Sequence, residues 1–507
     1  MKKNVWMYIF LLGFISNAFC TGFEVKTSPI IDQPGVEVLG DYKGSWYVVA
    51  FEKPGNLNKP PRYKILKYNG DFHNGKSSPM YPSFGEKTLY LRAAFVNNKI
   101  SLFYARCDRR VEENDMMDGR EGHRQIPVIL RQDYDPNTLD SVGGPQVVFD
   151  EDADRFAASG IDIAESEDKS KTAMLIKCYY RQQKYKMILT DNKSGQLFAK
   201  VFDLKPMKEF LKFQNLKVNN GGQVLVTAKV REDVITLQDK TPVLYYFFSI
   251  DKKGAAPKIH TITSPIQKNA YSGEPVTAML SNGEIAIAYS IFPADKNPVV
   301  KAISVNKFDV NFNSTGIKDI VPDPKFIPLT AEYANTKKEN GLPYLELKQM
   351  LPLEGGNFML IAEFHRTTEN ADKHKPSTIE RHYILTYKLD DKLTVKDVHF
   401  IPKKQTSTSL GFALSTQVYR KGNEVYLIHN DDWESDTEHD TNLQCTRIPA
   451  NGTEPETKKI GHTSDDFFTS MEHIFPRSDG KFLMTEEKLV DFENVSREVK
   501  LLEVTIK

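Results

Sequence analysis

The sequence lacks the features that define several common classes of protein. Only 4 of its 507 residues are cysteine, and their wide spacing fits neither a disulfide-rich scaffold nor a zinc motif. Basic and acidic residues number 67 each, so there is no positive excess for nucleic acid. After the first 20 residues no apolar run is long enough to span a bilayer. We therefore expect neither a nucleic-acid partner nor a membrane span.

The first 20 residues have the pattern of an export signal. Lys2 and Lys3 precede an almost wholly apolar run at residues 5–15, and small residues follow it. This run is shorter than the roughly 20 apolar residues of a membrane anchor. We expect residues 1–20 to be removed as a signal peptide and the mature protein to be secreted or periplasmic. A lipid-anchored start at Cys20 is the alternative, although bulky Phe19 stands where a lipoprotein signal has a small residue.

A unit of four strand-like runs recurs along the rest of the chain. Its first two runs are rich in β-branched and aromatic residues and flank a tight polar turn, as at residues 219–222 and 421–423. A third run and, in most units, a fourth run follow. Eight units are present, with a mean spacing of about 62 residues, since 436 residues separate Gly44 from Gly480 over seven intervals.

This pattern resembles a β-propeller, in which four-stranded blades surround a central channel. The resemblance is at the level of the fold, because neither a WD dipeptide nor a kelch double glycine recurs. It implies an all-β, eight-bladed β-propeller of four-stranded antiparallel blades, formed by a single domain at residues 21–507. Two smaller all-β domains are the alternative, but no linker rich in proline, glycine or serine separates the units.

The two ends of the repeat fit a closed ring. The last unit stops after its third run at residues 499–506, and an extra run at residues 22–27 precedes the first hairpin. We expect this N-terminal run to supply the fourth strand of the last blade and to cover its open edge.

Propeller geometry sorts the connections between strands onto two faces. One face carries the connections from second to third strands and from blade to blade, and we call it the long-loop face. Its richest connections are predicted at residues 107–124, 231–240, 365–382, 429–442 and 486–498. Cys107 and Cys178 should lie near the ends of second strands in neighbouring blades, where a disulfide needs a Cα separation below about 7 Å.

Polar residues near the ends of second strands form the predicted ligand site. Arginine there suits an anionic or hydroxyl-rich ligand, and histidine or carboxylate suits acid–base chemistry. The candidates for ligand binding are Arg106, Asp108, Arg109, Arg181, Arg231, Glu363, His365, Arg366, His429, Asp431 and Trp433.

Calcium is the one cation that the sequence suggests, and no cofactor is otherwise predicted. Asp432, Glu434 and Asp436 alternate along one loop and supply the oxygen ligands that calcium prefers. The loop lacks the glycine of an EF-hand, and a solvated acidic loop is the alternative interpretation.

Two functions remain open from the sequence. In the first, an exported, monomeric propeller binds a protein or glycan ligand through its long-loop face. In the second, it is a carbohydrate-active enzyme, a glycoside hydrolase or lyase, with its site at the mouth of the central channel. We favour binding because no compact catalytic constellation is visible, and fold alone does not give function.

Overall fold

The computed structural model describes most of the chain. The described residues are 23–31, 33, 35–52, 62–70, 72, 75–81, 88–114, 121–156, 158–178, 183–204, 211–230, 243–264, 274–280, 282–292, 299–333, 341–368, 370, 377–407, 414–431, 442–462, 467–477, 479–491 and 496–507. The predicted signal peptide at residues 1–20 lies outside them. Helices α1 (Glu151–Asp154) and α2 (Phe326–Tyr333) and a 3-10 turn at Glu354–Gly356 accompany an otherwise β structure.

The first four blades are antiparallel sheets of four strands in chain order. Strand β1 (Phe23–Thr27) precedes them and belongs to the last blade. Their strands are β2 (Gly35–Tyr42), β3 (Ser45–Phe51), β4 (Tyr63–Tyr68) and β5 (Lys76–Ser77); β6 (Thr88–Val96), β7 (Lys99–Asn114), β8 (Glu121–Tyr134) and β9 (Ser141–Asp150); β10 (Ala158–Glu165), β11 (Lys171–Cys178), β12 (Lys184–Asp191) and β13 (Gly195–Asp203); and β14 (Leu211–Val218), β15 (Val224–Val230), β16 (Val243–Ile250) and β17 (Lys258–Ser264).

The last four blades follow the same plan with small additions. Their strands are β18 (Val276–Met279), β19 (Ile285–Ile291), β21 (Ala302–Phe308) and β22 (Ser314–Ile320); β24 (Leu345–Pro352), β25 (Phe358–Phe364), β27 (Thr378–Leu389) and β28 (Val395–Ser407), with β26 (Arg366–Thr368) beside β27; β29 (Gln417–Lys421), β30 (Glu424–Asp431), β31 (Asn442–Ile448) and β32 (Glu456–His462); and β33 (Phe468–Thr469), β34 (Phe475–Pro476), β35 (Lys481–Asp491) and β36 (Ser496–Ile506) with β1. A separate short ladder pairs β20 (Val299–Val300) with β23 (Leu342–Pro343). The predicted eight-bladed β-propeller is confirmed.

Tight turns between first and second strands set the register of the blades. In blade 2, Val96 pairs with Lys99 across Asn97 and Asn98, whose φ angles are 50° and 58°. Two consecutive positive φ angles define a type I′ turn, whose twist matches that of a β-hairpin and which asparagine tolerates. The sequence therefore forms this hairpin from local residues alone.

The hydrophobic core lies between neighbouring blades. Second strands supply its centre, since every residue of β3 and β25 is buried. One cluster joins blades 3 and 4 through Leu189 and Val226, and another joins blades 8 and 1 through Leu483 and Trp46. Fourth strands lie at the outer edge of the ring, where Val147 is 62% exposed. Each blade is thus stabilised by packing against two others.

The last blade contains both ends of the ring. Strand β1 pairs antiparallel with β36 from Phe23 opposite Ile506 to Thr27 opposite Leu502. Phe23 and Val25 pack against the core cluster of blades 7 and 8. The predicted closure by the N-terminal strand is confirmed.

Two of the predicted long loops are largely strand. Pairing of β7 with β8 continues to Asn114 opposite Glu121, and pairing of β35 with β36 continues to Asp491 opposite Ser496. The prediction of loops at residues 107–124 and 486–498 was wrong over those stretches. A two-stranded extension pairs its own backbone groups and needs no apolar alternation, so the sequence pattern does not mark it.

The described cysteines form no disulfide. Cys178 ends β11, a second strand, as expected, but it is a buried free thiol whose Sγ accepts a hydrogen bond from the Lys184 amide at 3.1 Å. Its bridge to Cys107 is therefore not formed. Cys445 is also buried and free.

Candidate functional site

Five of the predicted site residues meet between blades 6 and 7. Glu363 lies at the end of the second strand of blade 6, and His365 directly follows that strand. Arg366 begins the next short strand, and His429 and Asp431 lie at the end of the second strand of blade 7. The two groups are joined through β28, because Lys403 binds Glu363 while the Lys404 amide donates to Asp431 Oδ1 at 2.9 Å. These strand ends all lie on the long-loop face.

The other predicted residues are not part of this described cluster. Arg106 lies in blade 2, opposite Thr88 in the register of β6 and β7. Asp108 and Arg109 belong to the extended β7, but their side chains are outside the described set, as are Arg181, Arg231 and Trp433.

Calcium binding by the acidic loop remains a prediction. Asp432, Glu434 and Asp436 lie outside the described residues. Among the described residues, no group of three or more histidine, cysteine, aspartate or glutamate side chains could hold a metal ion.

Glu363 is the centre of the cluster and its carboxylate is fully engaged. Its side chain has no solvent exposure. Lys403 and the Thr416 hydroxyl donate to Oε1, the latter at 2.8 Å. Arg381 and the Ser415 hydroxyl donate to Oε2, at 3.0 Å and 2.8 Å. Both oxygens thus carry two hydrogen bonds each, which is what a buried charge needs to be stable.

A chain of hydrogen bonds continues from Glu363 through three blades. Lys403 also donates to Gln405 Oε1 at 2.8 Å, and Gln405 Nε2 donates to the Asn430 carbonyl at 2.6 Å. Asn430 Nδ2 then donates to the Thr469 carbonyl of blade 8 at 3.1 Å. This chain fixes the ends of β28, β30 and β33 relative to one another.

Burial and charge together set the ionisation of the network. Burial opposes the charge on Glu363, but the nearby cations Lys403, Arg381 and Lys348 outweigh it and hold the pKa well below its usual range. Burial lowers the pKa of Lys403 to about 8 despite the attraction of Glu363. Glu363 is therefore ionised at neutral pH, with Lys403 and Arg381 as its counter-charges.

A partly exposed rim surrounds the buried network. Arg381 donates to Glu346 Oε2 at 2.6 Å, and His365 Nδ1 lies 2.8 Å from the same oxygen. Burial raises the pKa of Glu346, but the His365 contact and the Arg381 charge prevail and lower it to about 2. Arg366 forms a bidentate pair with Glu380, which raises the pKa of Arg366. We call Glu346, His365, Arg366 and Asp431 the rim.

His429 is buried without a partner for one of its nitrogens. It has no solvent exposure, and within the described part of the chain Nε2 makes no hydrogen bond. Burial, reinforced by the charge of Lys403, lowers the pKa of His429 from 6.5 to about 3. His429 is therefore neutral in the folded protein at any pH above that value.

This neutral histidine predicts a loss of stability in mild acid. As the pH falls below 6.5, the unfolded chain binds a proton at His429 while the folded protein does not. Between pH 6.5 and pH 5 the free energy of unfolding should fall by about 1.6 kcal/mol through this residue. Urea unfolding of wild type and His429→Gln at the two pH values measures the difference. Equal pH dependence in both proteins would disprove the assignment.

The sequence identified the acidic and basic ends of second strands but missed their partners. Lys403 and Arg381 form ion pairs with Glu363. Lys403 lies in the fourth strand and Arg381 in the third strand of blade 6, in polar stretches that carry no motif. Ser415 and Thr416 precede β29 and give no signal either. Only the folded sheet of blade 6 and its connection to blade 7 bring these side chains together.

Comparison with known proteins identifies no family for the chain. No family model matches the chain, and no curated protein matches it. Among solved structures, prolyl oligopeptidase B from Galerina marginata matches with 11% identity and a TM-score of 0.39, covering 91% of this chain and 55% of that one. A post-proline cleaving enzyme from Rickettsia typhi matches with 10% identity and a TM-score of 0.39, covering 94% of this chain and 58% of that one.

These likenesses are distant. Acylaminoacyl peptidase from Pyrococcus horikoshii, at 9% identity and a TM-score of 0.37, is covered over 49% of its length. The chain thus spans about half the length of these three proteins, and the scores are too low to carry an argument about activity. In the described part of the chain, no helix has the length and apolar character needed to cross a membrane.

Proposed function

We propose that the protein is exported and binds a protein or glycan ligand through its long-loop face, with the rim between blades 6 and 7 as part of the contact. The observation that carries the proposal is that the Glu363 carboxylate accepts two hydrogen bonds at each of its oxygens. Its two carboxylate oxygens are held by Lys403, Thr416, Arg381 and Ser415. A group held in this way positions its neighbours and does not react with a substrate.

The chemistry of the network favours binding over catalysis. A general acid or base works best with a pKa near the operating pH, whereas the pKa of Glu363 is far below it and that of His429 is about 3. Arg381 and Lys403 are occupied by Glu363 and Glu346. The network therefore supports a rigid polar surface that loses little entropy when a ligand binds.

The rim provides the groups that such a ligand would contact. Arg366 has a planar guanidinium that is partly exposed, and Glu346 and Asp431 are partly exposed carboxylates on the same long-loop face. Donors and acceptors on one face suit the hydroxyls of a glycan or the polar groups of a protein surface. The signal at residues 1–20 supports an extracellular or periplasmic ligand.

Substitution of the rim should weaken ligand binding without unfolding the protein. Ligands of the mature protein are identified on a glycan array and in a displayed protein library, and their Kd values are measured by calorimetry. Arg366→Ala should raise the Kd roughly tenfold, because a charged hydrogen-bonding group is removed from the contact. Lys193→Ala is the matched control, since this exposed lysine follows β12 in a turn on the opposite face.

Two outcomes would contradict the proposal. In one, Arg366→Ala and His365→Ala bind as wild type does while Lys193→Ala binds weakly, which would place the contact on the other face. In the other, the protein hydrolyses a glycan on the array, which would make it an enzyme. N-terminal sequencing of the exported chain tests the cleavage after residue 20.

A further inference from the structure

A second polar site lies inside the ring, away from blades 6 and 7. A partly open cavity of about 570 Å³ is lined by residues of blades 8, 1 and 2. Gly35 and Val499 line it. Gly35 pairs with Phe51 at the end of β3, and Val499 pairs with Glu487 in the C-terminal half of β35, both on the side of the long-loop face. The cavity therefore lies in the half of the channel nearest the long-loop face, and its volume suits a small molecule or one long side chain.

The cavity carries an excess of negative charge. Among the described lining residues, Glu37, Glu472 and Glu487 are acidic and Arg92 is the one lysine or arginine, so three formal negative charges stand against one positive charge and the balance is −2. The chain as a whole has a formal net charge of zero, so this is a local concentration of charge. Arg92 is also shared, because it stabilises the charge of Glu165 as well as that of Glu37.

The charge of Glu37 is incompletely compensated. Its carboxylate accepts hydrogen bonds from the Tyr90 hydroxyl and from the Ala93 amide, the latter at 3.2 Å. Burial nevertheless outweighs these contacts and Arg92, and it raises the pKa of Glu37. A positive charge placed in the cavity would stabilise Glu37 in its ionised form.

The cavity also has an aromatic wall. The Phe475 ring lines it and lies 6.2 Å from the ring of His473, measured between centroids. Phe475 packs against the core cluster of blades 8 and 1, which fixes its position. An aromatic face beside carboxylates is the arrangement that recognises ammonium groups, through cation–π attraction and charge-assisted hydrogen bonds.

From this geometry we propose that the cavity binds an organic cation, a primary ammonium group on an alkyl chain. The alkyl part would contact Phe475 and the ammonium would contact Glu472 and Glu487. The ammonium belongs either to a free amine or to a lysine side chain of a bound protein. The proposal rests on the long-loop face being the binding face, and it names the chemistry of one subsite there.

Titration with defined cations tests the proposal. The probes are n-butylammonium chloride and the peptide acetyl-Gly-Lys-Gly-amide, with n-butanol and acetyl-Gly-Gln-Gly-amide as neutral controls, each titrated to about 10 mM at pH 7.5. We expect both cations to bind and neither neutral compound to do so. Similar Kd values for the two cations identify free amines as the source, whereas tighter binding of the peptide identifies a lysine side chain.

Variants that each remove one charge from the cavity test whether cation binding depends on its negative charge. Glu472→Gln and Glu487→Gln should each raise the Kd roughly tenfold, because each removes a charged acceptor. Arg92→Gln should lower the Kd, because it removes the opposing cation. Thermal melting of each variant verifies folding. Because Glu472 is exposed, Glu472→Gln should change the stability of the fold less than Glu487→Gln.

The outcomes separate this proposal from the proposed function. Absence of cation binding at 10 mM, or weaker binding in Arg92→Gln, would overturn the cavity proposal and leave binding at the rim intact. Arg366→Ala should bind n-butylammonium as wild type does, since Arg366 lies in blade 6. If Arg366→Ala loses a macromolecular ligand but keeps the cation, both proposals stand.

Discussion

Removal of residues 21–28 should lower the free energy of unfolding by on the order of 5 kcal/mol. The deletion abolishes the pairing of β1 with β36 over five residue pairs. It also removes Ser28, whose amide donates to the Leu501 carbonyl and whose Oγ accepts from the Leu501 amide, each at 2.9 Å. Burial of Phe23 and Val25 is lost as well, and the edge of β36 becomes exposed.

Such a loss is a large fraction of the stability of a typical domain. Thermal and urea unfolding of chains that start at residue 21 and at residue 29 measure it. Lys26→Ala is the matched control, because Lys26 is exposed in the same strand and its contact with Glu24, at 3.8 Å, is a weak surface pair. A chain starting at residue 29 that melts as the longer chain does would show that closure contributes little.

Glu363→Gln should destabilise the fold by about 3–5 kcal/mol. The substitution keeps the shape of the side chain but leaves the buried Lys403 without its counter-charge and removes one of the two carboxylates that bind Arg381. Burying an unpaired cation costs more than the lost hydrogen bonds alone. Because ligand binding at the rim depends on this network, we also expect Glu363→Gln to weaken it at temperatures where the protein remains folded.

Two controls isolate the buried charge. The double variant Glu363→Gln with Lys403→Met removes both charges and should recover part of the lost stability, which a double-mutant cycle measures. Lys396→Ala breaks an ion pair with Asp390 whose atoms are 2.8 Å apart, but the lysine is 56% exposed, so the loss should stay below about 1 kcal/mol. Equal losses in Glu363→Gln and Lys396→Ala would contradict the role of burial.

Local features of the sequence were sufficient to predict the ring. Turns such as Asn97-Asn98 encode hairpins through nearby residues, and each hairpin repeats the same pattern of buried second strands. Counting strands at the two ends then gave the pairing of β1 with β36. This prediction was possible because an unpaired N-terminal run and a last unit of three strands together complete one blade and cover its edge.

The candidate site was predictable only in part. Glu363 and His429 were found because they end second strands, but Lys403 is 40 residues from Glu363 in the chain and was not. Its contact depends on how β25, β27 and β28 come together in the sheet of blade 6, which no local pattern records. Likewise, Glu37 and Arg92 occupy ordinary polar positions of first strands, and only the closed ring encloses a cavity between them.

The pairing of β1 with β36 also dictates when the ring can be completed. Strand β1 leaves the ribosome before every other strand of the ring, and β36 leaves after all of them. Seven blades can therefore form on the nascent chain while β1 still has no partner. The Trp46 indole, which donates to Glu503 at 2.5 Å across blades 1 and 8, must wait for the same event. Synthesis of the final strand is thus the step that turns an open row of blades into a ring.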